Sequence, residues 1–232
     1  MIERIGDGIW WLQLGWRPPL RRNAYLVDDG NELTLIDVGM PWDDNTIRDH
    51  LQTAGYALSA VDQVLVTHYD FDHVGGLRRL NGDLDARVYM GQRDYGIVSR
   101  EYTPPLFHHK GAFHRALRRL FPLPSSISFH PLADGEQIGG FTAYHTPGHN
   151  PGHTVYVHEG LSAAFLGDLV WEKAGSFTTP VLLDSYSMVE LRESVRQFAS
   201  RSPPFELACV GHGTPLKNGG TDALETLAAS LG

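Results

Sequence analysis

The chain has 232 residues, a length that suits one large layered domain, and its 42% hydrophobic and 20% charged residues exclude a disordered or fibrous class. A formal net charge of −8 opposes a nucleic-acid partner, no apolar run approaches the roughly 18 residues of a membrane span, and the N-terminus lacks a signal-peptide pattern. One cysteine, Cys209, excludes an intrachain disulfide and fits a reducing compartment, so a cytoplasmic protein acting on a small molecule is expected, with no nucleic-acid or membrane partner.

In chain order, apolar runs and turn signals predict strands over 9–14, 23–27 and 33–38, then a helix over 42–54 that ends near Gly55. A strand over 61–66 leads into the first polar cluster, followed by a strand over 86–90 and a helix over 93–102. The stretch 103–124 is bounded by prolines and holds His108, His109 and His114 around a basic amphipathic segment at 112–121. It reads as a helical insertion over one end of the fold. Strands over 127–132, 141–146, 154–158 and 163–166 follow, then a helix over 189–200, a strand over 207–210 and a helix over 221–231. No linker divides the chain, so residues 1–232 read as a single domain, and two strand groups with helices outside predict a four-layer αββα sandwich of the α/β class.

Four segments carry chemistry. Thr67-His68-Tyr69-Asp70-Phe71-Asp72-His73 packs metal-ligand residue types behind an apolar strand. His68, Asp70 and Asp72 alternate, so an extended loop is expected to point them the same way, with His73 at the turn toward Gly75-Gly76. The second segment is His145-Thr146-Pro147-Gly148-His149-Asn150-Pro151-Gly152-His153, where proline and glycine fix a tight loop. The third is Asp168 at the end of a buried strand, and the fourth is His212 between Gly211 and Gly213. Taken singly, each has a plain reading as a polar loop, a turn or a helix cap. Taken together, strand-end loops on one edge of a sandwich converge on one cleft.

In order and spacing the four segments resemble the metallo-β-lactamase superfamily, from Asn23 to His212. That group includes glyoxalase II-like thioesterases, quorum-quenching lactonases, β-lactamases, phosphodiesterases and iron oxidoreductases. Asn23-Ala24-Tyr25-Leu26-Val27 and Leu35-Ile36-Asp37-Val38-Gly39 resemble its opening strands. The resemblance implies a first metal on His68, His149 and Asp70, a second on Asp72, His73 and His212, and Asp168 bridging them. His145 and His153 are read as supporting residues rather than ligands. Where the family usually has histidine, this sequence has Asp70. The extra carboxylate makes a bound water less acidic and admits manganese or iron beside zinc, the first expectation for the two divalent ions.

The chemistry so implied is hydrolysis of an activated ester, lactone or thioester by a metal-bound hydroxide, with ions roughly 3.5–4 Å apart and Asp72 orienting the nucleophile or carrying a proton. Alternatives are a non-haem iron oxidoreductase of the same fold, sulfur dioxygenase-like, which Asp70 favours and the second ligand set disfavours. A phosphodiesterase, a β-lactamase or a non-catalytic metal-binding module completes the set. The chain ends 20 residues after His212, too short for the helical glutathione-binding extension of glyoxalase II-like enzymes. The insertion is therefore the expected specificity element, carrying no ligand. Its His108, His109 and His114 with Arg115, Arg118 and Arg119 either meet an anionic substrate or form a solvated basic face, and Tyr186 is either a substrate contact or a surface or core residue.

Overall fold

The structure, a computed structural model, describes residues 1–15 and 21–232. Strands β1 (Ile2–Gly6), β2 (Ile9–Leu14), β3 (Arg22–Asp28) and β4 (Leu33–Ile36) pair antiparallel in sequence order. Then the pairing turns parallel, through β5 (Gln63–Val66), β6 (Arg87–Gly91) and β7 (Phe129–Leu132). Parallel neighbours need crossovers. Helix α1 (Asp44–Ala54) provides the first, the short helices α2 (Phe71–Val74) and α3 (Leu77–Leu80) the second, and α4 (Gln92–Ser99) with α5 (His109–Leu120) the third.

The second sheet contains β8 (Gln137–Ile138), β9 (Phe141–His145), β10 (Thr154–His158), β11 (Ala163–Gly167) and β14 (Leu207–Val210), in the order β14-β11-β10-β9-β8. Between β11 and β14 lie a two-stranded ribbon of β12 (Trp171–Lys173) and β13 (Ser176–Thr178) and the crossover helix α6 (Met188–Arg201); α7 (Gly220–Ser230) follows β14.

Strand alternation explains the layering. Leu12, Leu26, Leu35 and Val64 face helix α1 and its Ile47 and Leu51, in one buried cluster. Their neighbours Trp11, Tyr25, Val27, Ile36 and Leu65 turn the other way and meet Phe141, Tyr156 and Phe165 between the sheets. Val155, Val157 and Leu166 form the outer face of the second sheet, under Leu191, Val195 and Phe198 of α6 and Leu224 of α7. Three apolar layers separate four structural ones, so the chain is the expected αββα sandwich. Helix α1 begins two residues later than expected because Asp43 is drawn into its own contacts. Its carboxylate accepts from Met40 N at 2.8 Å and from the buried Arg22 guanidinium at 2.7 Å. Among the described residues no helix is long and apolar enough to cross a membrane.

Candidate metal centre

Strand β5 delivers Thr67 and His68 to the sheet edge, where Asp37 organises both motif histidines. Asp37 adopts a left-handed backbone (φ 57°) that ordinary residues avoid. Its carboxylate accepts from Thr67 N at 2.8 Å, Thr67 Oγ1 at 2.7 Å and His73 Nδ1 at 2.8 Å. Because the Thr67 hydroxyl donates to Asp37, it accepts from His68 Nδ1 at 3.0 Å. Both rings are thereby held with a proton on Nδ1, so Nε2 is the nitrogen turned to the cleft.

The chain from Asp70 is not the extended loop that alternation predicts. Asp70 is extended (φ −100°, ψ 151°), but Phe71–Val74 turns at once into α2, so Asp72 and His73 project from a helix. Just past that helix the backbones approach closely: a Cβ on Gly76 would lie 2.0 Å from the Val38 carbonyl oxygen.

The second sheet supplies the other half. Asp168 follows β11, and its backbone N–H donates to His153 Nε2 at 3.0 Å, while Thr146 Oγ1 engages the other ring nitrogen of His153 at 2.8 Å. His153 thus has both nitrogens occupied within the protein, and His145 Nε2 pairs with the Pro151 carbonyl at 3.0 Å. Trp171 Nε1 donates to Asp168 Oδ2 at 2.8 Å. His212 follows β14 and its Nδ1 donates to Arg21 O at 2.9 Å, freeing its Nε2. A Cβ on Gly211 would lie 2.1 Å from Asp168 Oδ1, so only glycine lets the aspartate stand there.

Two groups result whose ligand atoms lie within 4.8 Å of one another: His68, His149 and Asp168, and Asp72, His73 and His212. Asp168 joins them, at 3.6 Å from His149 Nε2, 3.6 Å from His73 Nε2 and 3.4 Å from His212 Nε2. The fit to a cation is read from buried atoms without hydrogen-bond partners among the described residues: His68 Nε2, His73 Nε2 and Asp168 Oδ1. Such orphans are costly unless a cation accepts their lone pairs, and imidazole with carboxylate is the donor set of divalent transition metals.

Asp70 stands against the first group, its Oδ2 3.1 Å from His149 Nε2 and 3.5 Å from His68 Nε2. Its Oδ1 accepts from His114 Nε2 at 2.7 Å and from Asn150 Nδ2 at 3.0 Å, and its Oδ2 accepts from Lys110 Nζ at 2.7 Å. His114 and Lys110 both come from α5, so the insertion does more than cover the site: it reaches the motif itself. Tyr186 OH donates to His114 Nδ1 at 2.8 Å, which makes it part of this network. Arg115 and Arg118 instead donate to backbone carbonyls of Pro104, Ile97 and Tyr102, away from the cleft.

Charge follows geometry. Burial opposes the charged form of His73, yet Asp37, Asp72 and Asp168 outweigh it and push the imidazole up to about 10. Burial likewise opposes a charged His212, and Asp168 and Asp72 lift it to about 9. Against their own burial, the Asp72 and Asp70 carboxyls are held below the usual range, Asp72 by His73 and His212 and Asp70 chiefly by Lys110. Burial keeps His68 and His153 neutral. The groups open into a cleft of about 460 Å³ lined by Arg21, Asp70, Asp72, Asp168, Trp171 and Asp184 among others.

The sequence profile of the Metallo-beta-lactamase superfamily matches residues 17–212. The chain belongs to the metallo-beta-lactamase superfamily.

Among its relatives, the probable metallo-hydrolase YflN of Bacillus subtilis (strain 168) is 27% identical over 230 residues, 88% of this chain and 85% of that protein. An atrochrysone carboxyl ACP thioesterase, nsrC, of Aspergillus novofumigatus is 30% identical over 178 residues, 74% of this chain and 44% of that longer protein. Among solved structures, TTHA1623 in a di-iron-bound form shares 30% identity with a TM-score of 0.65, covering 88% of this chain and 92% of that one. This superfamily member brings together all seven residues singled out in its motifs, six of them in the two groups and Asp70 alongside. Asp37, Asp94, Lys110 and Trp171 carried no expectation of a role in the sequence, and His114 was expected to meet substrate or solvent and not Asp70. For Lys110 and His114 the only signal was an insertion rich in basic residues.

Proposed function

We propose that the chain is a metal-dependent hydrolase of an activated ester, lactone or thioester, built on two adjoining cation positions that share Asp168. The observation that carries this reading is the set of unpartnered buried ligand atoms, His68 Nε2, His73 Nε2 and Asp168 Oδ1, facing an open cleft. Divalent metal bound there would polarise a substrate carbonyl and acidify a water. His68, His149, Asp72, His73, His212 and Asp168 are its ligands in this reading, and Asp70 takes part through the first position.

The chain's own residues supply the rest. Asp72 lines the cleft with its side chain 25% exposed, close enough to solvent to orient an attacking water and take its proton. Trp171 holds Asp168 Oδ2 in place, so the carboxylate does not swing as charge develops. Arg21 at the cleft wall offers a cation to the carboxylate that hydrolysis of any of these substrates releases. Asp70, Asp72, Asp168 and Asp184 make the remaining wall acidic, which disfavours a phosphodiester. The similar proteins named as a metallo-hydrolase and a thioesterase support the acyl-transfer reading. Zinc, manganese and iron all suit these donors, and the di-iron form of the similar structure supports iron among them.

A panel of lactones, thioesters and β-lactams, assayed after reconstitution with each metal, tests the proposal. Hydrolysis of at least one acyl substrate is expected, lost on chelation and lost in Asp168→Ala. Turnover that survives both chelator and that substitution would overturn it.

A further inference from the structure

The two groups are not equally open to an ion. His68, His73 and His212 each have the remote ring nitrogen held by an oxygen, which leaves Nε2 free. His149 differs. Its Nδ1 has no partner among the described residues, and its Nε2 lies 2.9 Å from Lys110 Nζ and 3.1 Å from Asp70 Oδ2. An ammonium can only donate and a carboxylate can only accept; Lys110 is the nearer partner and already donates to that Asp70 oxygen, so His149 Nε2 turns its lone pair to the lysine.

Lys110 is built into this place. It is 4% exposed, and its three protons meet three acceptors: Asp70 Oδ2 at 2.7 Å, the Asp184 carbonyl oxygen at 2.7 Å and His149 Nε2. Asp70, the carboxylate standing where the family usually has histidine, neutralises it and is itself locked by His114 and Asn150. The helix that delivers the lysine is pinned beside it, since a Cβ on Gly111 would lie 2.3 Å from the Pro105 carbonyl oxygen. A metal on His149 would need that same lone pair at about 2.0–2.1 Å. It would also sit against a positive charge that is only 4% exposed, where screening by solvent is weak.

We infer that the Lys110 ammonium, paired with Asp70, occupies the first cation position, and that the protein loads one divalent ion, held by Asp72, His73, His212 and Asp168. This rests on the metal-dependent reading but narrows its ligand set, with His68 and His149 lining the ammonium instead of a metal, and it departs from the two ions that the family resemblance implies. The exchange of histidine for Asp70 and the presence of Lys110 are then one change: a carboxylate and an ammonium replace an imidazole and a metal. With all three protons engaged, Lys110 has none left for substrate and acts as a fixed charge that positions Asp70 and His149.

Elemental analysis after reconstitution with excess zinc, manganese or iron, followed by desalting, decides the matter. One ion per chain is expected in the wild type, retained in His68→Ala and lost in His212→Ala. Lys110→Met, which keeps the stem and removes the charge, should take up a second ion, bound by His68, His149 and the released Asp70. Two ions per wild-type chain would overturn the inference and leave the hydrolase reading standing. So would a single ion lost in His68→Ala but kept in His212→Ala, or a folded Lys110→Met that stays at one. The wild type and the two histidine variants decide even if Lys110→Met does not fold. A chain that takes up no ion with any metal overturns the metal-dependent reading and this inference with it.

Discussion

The His73 ring donates from Nδ1 to the Asp37 carboxylate at 2.8 Å, and that one bond sets which nitrogen faces the metal position. Asp37 lies thirty-six positions away in sequence, at the end of β4, and holds Thr67 by the same oxygen. Partners of this kind tune a ligand without touching the ion.

Asp37→Asn is therefore expected to weaken metal affinity by about 10- to 100-fold while the fold is kept. Asparagine tolerates the left-handed backbone at this position but offers the ring a weaker acceptor. Competition against a chromogenic chelator reads the affinity, and circular dichroism reads the fold. Unchanged affinity would separate Asp37 from the site.

The metal-free protein should be most stable near pH 6.5 to 7. His73 and His212 are raised, to about 10 and about 9, so they bind protons more tightly folded than unfolded. Their contribution is complete below the unfolded value of about 6.5 and is lost as pH climbs through 9 and 10, a loss on the order of a few kcal/mol. His68 and His153 are shifted the other way, so the unfolded chain binds their protons first, and stability falls as pH drops below about 6.5. Urea unfolding of chelated protein from pH 5 to 10 measures both limbs. Stability that rises between pH 7 and 10 would contradict the assignment. Metal uptake near neutral pH should also release protons, measurable with an indicator dye.

Asp94 is buried and ties the first motif loop to the second, accepting from Tyr69 N and Gly152 N at 2.7 Å each. Asp94→Ala leaves both donors unpaired, at about 1–3 kcal/mol apiece, so a loss of about 2–6 kcal/mol in urea unfolding is expected. A loss below about 0.5 kcal/mol, the range of an ordinary surface change, would show that water replaces the carboxylate freely.

Gly211→Ala should displace Asp168, because the new methyl would arrive 2.1 Å from its Oδ1. Overpacking of this kind costs about 1–3 kcal/mol. Metal content and hydrolysis should fall together. Gly82→Ala, which meets nothing within 4 Å, is the control and should change neither. Equal behaviour of the two variants would mean that Asp168 moves aside without consequence.

The sandwich and the convergence of the histidine and aspartate loops were legible because both depend on local pattern: apolar runs for strands, and dense histidine and aspartate at their ends. The conformation of the first motif was not, since its alternation fits a strand and nothing local shows Gly76 pressed on Val38. Lys110 and His114 were hidden for a different reason. His114 meets Asp70 across forty-four positions, and no periodicity encodes a contact between an insertion and a strand end. The expectation that the insertion shapes specificity alone overlooked its hold on Asp70, so removing it would disturb the metal position too. Asp70 shows the same boundary: its departure from the family pattern was visible, but the lysine that compensates it was not.

The two ligand groups have a mechanical consequence. In each, some residues hang from the first sheet and the others from the second: His68 faces His149 and Asp168, and Asp72 with His73 faces His212. Any sliding of one sheet over the other stretches these distances first. An ion bound there would act as a rivet through the sandwich, so its stabilising effect, set by its concentration relative to its dissociation constant, should reach elements far from the cleft. Slower amide exchange in β2 and β10, neither of which carries a ligand, would be the signature of a metal that fastens two sheets as well as serving a reaction.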